Sequence, residues 1–400
     1  MRSPIRNLST QDLPAQPFFQ TPDQRAALAR QRFFEEQQHP AGLVSEAVIR
    51  SWSRSRAQGH TAHKMPALDP VNRSALSATL ARNRRLLAAA HGDLQQLEAT
   101  LAGTASRLML TDAAGVIVHV SRGSGDPQQK VLDAATRVGV NLAEGVLGTT
   151  APGIVVHTGM ACTVQGCEHF YDLFGGVRCA AAPIRDMHGR LVGVLDVSTE
   201  ARGFGFDAAA VVGVYATSIE NRLLQAQSDE HLVLHFQAAP SLLGTPMEGL
   251  AGVDSHGQVV WLNATGHSLL GRPARQAIGS VDEFFGADLG QLLSLCGASE
   301  AQRLQLPSGL GIWVRATLGL RDGINMQHAV AWSAAPEPAA APEAAPLVEP
   351  EPPAPPEATS LAATQQRLVE ETLQANGGNV ARTARQLGVS RGLVYRHLKK

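Results

Sequence analysis

The residues whose types best suit chemistry fall in one stretch. Cys162, Cys167, His169 and Cys179 lie close together, with His157 just ahead of them. Thiolate and imidazole groups are ligands for zinc and iron. The spacing, Cys-x4-Cys-x-His with a further Cys ten residues on, is not that of the paired-cysteine zinc sites. The favoured reading is buried small thiols beside a hydrogen-bonded histidine, with no metal and no cofactor. A redox or metal role for the three thiols stays open. The neighbouring set Glu168, His169, Phe170 and Cys179, with Asp196 from the run GVLDVS, suits the lining of a small-molecule pocket. Asp196 can instead be a strand-end residue with a local hydrogen bond.

One catalytic class is excluded by what the lysines lack. A P-loop needs Gly-Lys followed by Ser or Thr to hold phosphates. Lysine occurs only at 64, 130, 399 and 400, preceded by His63, Gln129, Leu398 and Lys399. No Gly-Lys pair exists in the sequence, so a P-loop ATPase is not expected.

A second set of chemical residues ends the sequence. From Leu361 onward there are seven Lys or Arg against Glu370 and Glu371, a balance of 7 − 2 = +5, whereas the whole chain is −1. Such segregation points to nucleic acid. Asn379 and Ser390 sit where they can cap two short helices, with Gly388 at the turn between them. Val380, Ala384, Leu387, Val389, Val394 and Leu398 would form their shared core. The exposed residues are then Ser390, Arg391, Gly392, Tyr395, Arg396, Lys399 and Lys400. Arg391, Tyr395 and Arg396 are placed for bases or adjacent phosphates, and Lys399 and Lys400 for phosphates.

The elements that must position these groups can be read from pattern. Thr21-Pro22 opens a helix to about Gln37, and a second runs from about Ser45 to Ala57 through VIRSWSRSRAQG. From Asn72 to about Leu101 the pattern is helical, with Leu80, Leu87, Leu94 and Leu101 every seven residues. A coiled-coil seam and a helix packed on its own domain both fit this spacing. SRLMLTD with VIVHVS, and RCAAAPIRD with RLVGVLDVS, read as two hairpins. A helix near Thr149 to Thr158 and a strand near Ala161 to Val164 lie between them, and a helix from about Ala208 to Gln227 closes the unit. GLAGVDSHGQVVWLNATGHSLLG then reads as strand, turn, strand and a helix beginning near Asn263, with GIWVRATLGL and HAVAWSA as later strands. Residues 336–357 hold nine Pro and five Glu among 22, a composition for an extended linker rather than a core.

These runs carry resemblances. GGNVARTARQLGVSRGLVYRHLKK resembles the Fis-type helix-turn-helix of bacterial enhancer-binding activators. VIRSWSRSRAQG is similar to the N-terminal signature of the acetoin-type regulators. EGVLGTTAPG, EHF, CAAAPIRD and GVLDVS resemble the GAF sensor domain of that group, with Thr150 where Asn is usual. Residues 245–333 resemble a PAS domain. The resemblance implies an α+β multidomain chain: an N-terminal helical region at 1–104, a GAF-like antiparallel sheet with helices at 105–228, a PAS-like α+β domain at 240–334, a linker at 335–358 and an all-α helix-turn-helix at 359–400. It implies a dimeric regulator that binds double-stranded DNA and a small effector, with RNA polymerase as a partner. The ATPase that such activators carry, and with it remodelling of sigma-54 polymerase, is not expected.

Two alternatives belong to other classes. One is a sensory scaffold working through protein partners. The other is a cysteine-dependent redox enzyme similar to the GAF-fold methionine-sulfoxide reductases. Four cysteines in 400 residues make no disulfide framework, and MRSPIRNLSTQDLPAQPFF has no apolar signal region. With no apolar run long enough to span a bilayer, the expected setting is the cytoplasm.

Overall fold

The computed structural model describes residues 21–122, 128–272, 279–298 and 300–318. The linker, the helix-turn-helix with every residue named in it, and the HAVAWSA strand lie outside the described residues.

Capping side chains open the first helices. α1 (Pro22–Phe34) starts with Thr21 accepting from the amide of Gln24, and α2 (Glu46–Ala57) with Ser45 accepting from that of Val48. α1 ends three residues before the expected Gln37. The stretch read as one helix is two, α3 (Arg73–Arg82) and α4 (Arg84–Leu101). They part at Asn83, whose side-chain amide donates to the Thr79 carbonyl.

The first sheet has the order β2-β1-β5-β4-β3, all antiparallel: β1 (Ser106–Asp112), β2 (Ile117–Val120), β3 (Cys162–Gln165), β4 (Val177–Arg185) and β5 (Leu191–Glu200). Both hairpins are as expected. Between β2 and β3 the chain forms α5 (Lys130–Ala135), α6 (Glu144–Leu147) and α7 (Ala151–Thr158), and after β5 it forms α8 (Ala208–Ala226). Alternation along the strands makes two apolar layers. Leu108, Leu110, Ala180, Ala182, Leu195 and Val197 face α4 and α8, which contribute Leu94, Leu97, Val212 and Ile219. Met109, Cys179, Ala181 and Val194 face the other way, into a core shared with Phe33, Val48, Ile49 and Trp52 of α1 and α2.

Two readings change here. Leu94, Leu97 and Leu101 are buried against α4's own domain, which removes the coiled-coil alternative for this helix. Asp93 ties the pair together, accepting from Ser218 Oγ at 2.8 Å and pairing with Arg222 at 2.8 Å on α8. The boundary placed at 104/105 also does not separate two cores, because α1 and α2 complete the apolar layer of the sheet.

The second sheet has the order β10-β11-β6-β7-β8-β9. Its strands are β6 (Leu232–Gln237), β7 (Gly249–Val253), β8 (Gln258–Leu262), β9 (Gly279–Ser280), β10 (Gln302–Gln305) and β11 (Gly311–Leu318). The helices are α9 (Ala264–Leu269), capped by Asn263 as expected, α10 (Val281–Phe285) and α11 (Leu289–Ser294). β6 was not anticipated. It lies between β7 and β11, so the sheet begins at Leu232 rather than at 240. Phe236 and Phe285 meet edge to face at 5.2 Å in its core. The two sheets are joined through α8: Leu224 packs with Val233, Leu250 and Trp261, and Asn221 Oδ1 accepts from Asn263 Nδ2 at 2.9 Å.

Candidate functional site

A cavity of about 30 Å³ lies on the face of the first sheet away from α4 and α8. β5 supplies Asp196 and Ser198 to it, β4 supplies Cys179, and β1 supplies Met109. The register explains the grouping. Met109 stands opposite Asp196, and Cys179 opposite Ser198, so the four side chains share one face. α5 adds Leu132 and Ala135, and Thr136 follows at its C-terminal cap. Leu142, Leu147, Thr150 and Pro152 come from the stretch around α6, and His169 and Phe174 from the loop after β3.

Local chemistry shapes these walls. Thr150, the residue that departs from the usual Asn, caps α7 by accepting from the Gly153 amide at 3.0 Å and donates to the Leu142 carbonyl at 2.9 Å. Its hydroxyl therefore closes the loop and caps the helix at once. Gly148, at φ 59°, holds a left-handed conformation where an added Cβ would lie 2.8 Å from that of Phe170.

The polar groups form two pairs. Asp196 Oδ2 accepts from Ser198 Oγ at 2.6 Å, while the buried Oδ1 has no partner among the described residues. Burial pushes the Asp196 carboxyl up to about 7, against the pull of the Ser198 hydrogen bond. His169 Nδ1 lies 3.0 Å from the Gly166 carbonyl, and Nε2 lies 3.5 Å from Cys179 Sγ. A carbonyl only accepts, so Nδ1 carries the proton and Nε2 accepts from the thiol. Burial lowers His169 to about 4, with Arg30 acting in the same direction, so the ring is neutral near pH 7. Burial raises the Cys179 thiol well above its ordinary value, reinforced by Asp196, and pushes Cys162 up to about 12. Both are poor nucleophiles. The site can offer an oxygen acceptor, hydroxyls and an apolar surround to a small uncharged molecule.

Of the five effector residues read from sequence, His169, Cys179 and Asp196 line the cavity. Glu168 and Phe170 do not. Glu168 Oε2 accepts from the Gln165 amide at 2.8 Å, and burial raises its carboxyl to about 7. Phe170 packs edge to face on Phe34 and Tyr171, at 5.3 Å and 5.4 Å. Ser198 was missed, although it stands two residues from Asp196 on the same strand. Cys162, Cys167, His169 and Cys179 do not converge: among the described residues, no group of three or more His, Cys, Asp or Glu side chains could hold a metal ion.

The RSW signature acquires a physical role. In α2, Ser51 Oγ lies 2.8 Å from Thr149 Oγ1, Trp52 Nε1 donates to the Glu168 carbonyl at 2.7 Å, and Arg54 pairs with Glu144 at 2.7 Å. The motifs VIRSWSRSRAQG, EGVLGTTAPG and EHF, far apart in sequence, are thus one cluster. Among the described residues, no helix is long and apolar enough to cross a membrane.

Several known proteins are similar to this chain. The acetoin catabolism regulatory protein of Cupriavidus necator is 31% identical over 214 residues, covering 51% of this chain and 32% of that protein. The propane 2-monooxygenase operon transcriptional activator MimR of Mycolicibacterium goodii is 27% identical over 308 residues, covering 75% of this chain and 48% of that protein. The acetoin dehydrogenase operon transcriptional activator AcoR of Bacillus subtilis is 24% identical over 202 residues, covering 48% and 33%. The chain thus spans about a third to a half of the length of these relatives. Residues 360–400 match the Fis family of bacterial regulatory proteins. Residues 21–222, which include both sides of the cavity and the helices behind it, match the family described as MimR, N-terminal domain, and the chain belongs to that family.

Proposed function

We propose that this protein is a DNA-binding transcription regulator whose first sheet binds a small, uncharged, oxygen-bearing effector. The observation that carries the reading is Asp196 in the lining of a buried, largely apolar cavity, with its Oδ1 unpartnered among the described residues. A buried polar atom without a partner is costly, and a ligand hydroxyl would satisfy it. The volume of about 30 Å³ is room for about two waters, so a molecule the size of acetoin would enter with some parting of the loop walls. The neutral histidine and thiol favour an uncharged one. Names of relatives point the same way, since two of them concern acetoin. His169, Cys179 and Asp196, with Ser198 and Thr150, would contact the effector.

The Fis-type segment would bind operator DNA as a homodimer. Asn379 would cap its first helix. Ser390, Arg391, Gly392, Tyr395 and Arg396 would enter the major groove, and Lys399 and Lys400 would contact phosphates. The second sheet, reading as PAS-like, would relay the signal through the Asn221–Asn263 contact. The protein would act in the cytoplasm, without catalysis and without ATP-driven remodelling of sigma-54 polymerase, through direct contact with RNA polymerase or occlusion of its sites.

The test is calorimetric titration of the full chain with acetoin, beside Asp196→Asn and Asp196→Ala. Saturable binding to wild type, lost or weakened by about tenfold or more in Asp196→Ala, is the expected result. Binding indifferent to both substitutions would remove the cavity from the account.

A further inference from the structure

Fourteen side chains line the cavity, and six of them belong to two connecting stretches, the loops with the short helices they carry: Leu142, Leu147, Thr150 and Pro152 to the first, His169 and Phe174 to the second. None comes from α1 or α2. Those helices nevertheless hold both loops from behind. Arg54 Nε and Nη2 each donate to one oxygen of Glu144, at 2.7 Å and 2.7 Å. Glu144 is 6% exposed, so its charge has little water to fall back on. Ser51 bonds to Thr149, next to the lining Thr150. Trp52 donates to the carbonyl of Glu168, next to the lining His169. From α1, Arg30 donates to the carbonyls of His169 and Phe170 at 2.7 Å and 2.9 Å and pairs with Asp172. Every one of these bonds ends on a cavity-lining residue or within two residues of one.

We propose that Arg54, together with Arg30, Ser51 and Trp52, positions the effector site, and that docking of α1 and α2 and occupancy of the cavity form one coupled equilibrium. The proposal rests on the effector reading of the cavity. The sheet wall is fixed by its own ladder, whereas the two loops, beyond their own bonds such as Thr150 to the Leu142 carbonyl, are held by side chains from the helices. A molecule that needs the loops in place must tighten the helices, and loosening the helices must weaken the molecule by the same factor. The apolar anchor of α2, Val48, Ile49 and Trp52, is buried and does not include Arg54, so replacing Arg54 alone should act locally. A guanidinium fork fits both carboxylate oxygens, and an ammonium does not, so lysine is only a partial substitute.

Amide hydrogen exchange on the full chain tests this, comparing wild type with Arg54→Met and Arg54→Lys. In Arg54→Met, amides from 145 to 150 and from 168 to 172 should exchange about tenfold faster or more, while those of 194 to 198 in β5 keep their protection. Arg54→Lys should fall between, and it keeps the test open if Arg54→Met does not fold. With acetoin as the probe, Arg54→Met should bind about tenfold more weakly. Asp196→Asn should weaken acetoin without changing exchange in the two loops of the free protein. Loop exchange unchanged by both Arg54 variants, or raised equally throughout the sheet, would overturn the positioning role. Should wild type bind no acetoin, the effector reading fails for that class, and the exchange pattern still decides whether the helices set the loops.

Discussion

Asp196 shows how one buried side chain imposes a pH dependence on the whole domain. Its carboxyl is raised from an ordinary value near 4 to about 7, so the folded state holds a proton that the unfolded state has lost. Stability from this group is therefore present below about pH 4 and is lost as pH rises through 7. Asp196→Asn should leave stability at pH 4 little changed and raise it at pH 8 by on the order of a few kcal/mol, read from urea unfolding at both pH values. His169 works in the opposite sense. Depressed to about 4, it contributes stability above its ordinary pH range near 6.5 and loses it as pH falls through 4. Gly252 is a steric counterpart in the second sheet. An added Cβ there would lie 1.9 Å from the indole nitrogen of Trp261, a residue that is 1% exposed. Gly252→Ala should cost about 2 kcal/mol or more through overpacking, measurable as a lowered unfolding midpoint. An unshifted midpoint would mean that the indole can move aside.

Elements were legible wherever their signals were local. Thr21, Ser45, Asn72 and Asn263 cap helices at the residues where their types predict it. The turns at Gly115, Gly189 and Gly257 are each tied by an Asp that accepts from two amides of its own turn. The pair Asp196 and Ser198 follows from strand alternation alone, and only half of it was read. What escaped was non-local. Arg54 and Glu144 are 90 residues apart, and nothing in either segment announces the other. β6 escaped for a different reason. LVLHFQ is a nearly continuous apolar run beside a helix, and such a run has no period of its own. Its central place in the sheet supplies the burial that the composition demands. The heptad of leucines was a true signal of one apolar stripe, and its partner is α8 with the sheet. Leu97→Ala should therefore cost about 3 kcal/mol in unfolding while leaving the sedimentation mass of the folded protein unchanged. A coiled-coil seam would instead give dissociation.

For the whole molecule, charge is divided between the ends of the sequence. The chain has a net charge of −1, while its last forty residues carry +5. The basic end matches the Fis family, and the other end belongs to the MimR N-terminal family, with a cavity whose polar groups come from the sheet and from loops that two helices brace. If Lys399 and Lys400 meet phosphates, replacing both by Ala should weaken binding to every DNA and reduce the salt slope by about two units, with selectivity among sequences unchanged. A slope that stays where it was would assign those lysines elsewhere.

The central claim is that occupancy of the cavity changes sequence-specific DNA binding. The most direct measurement is binding of the full chain to DNA from its gene's own upstream region, titrated with salt and unlabelled competitor, with and without acetoin. The account predicts tight binding that resists competitor, a steep salt slope, and a shift in affinity with acetoin in wild type that is absent in Asp196→Ala. Binding displaced equally by any DNA, and indifferent to acetoin in both proteins, would contradict it.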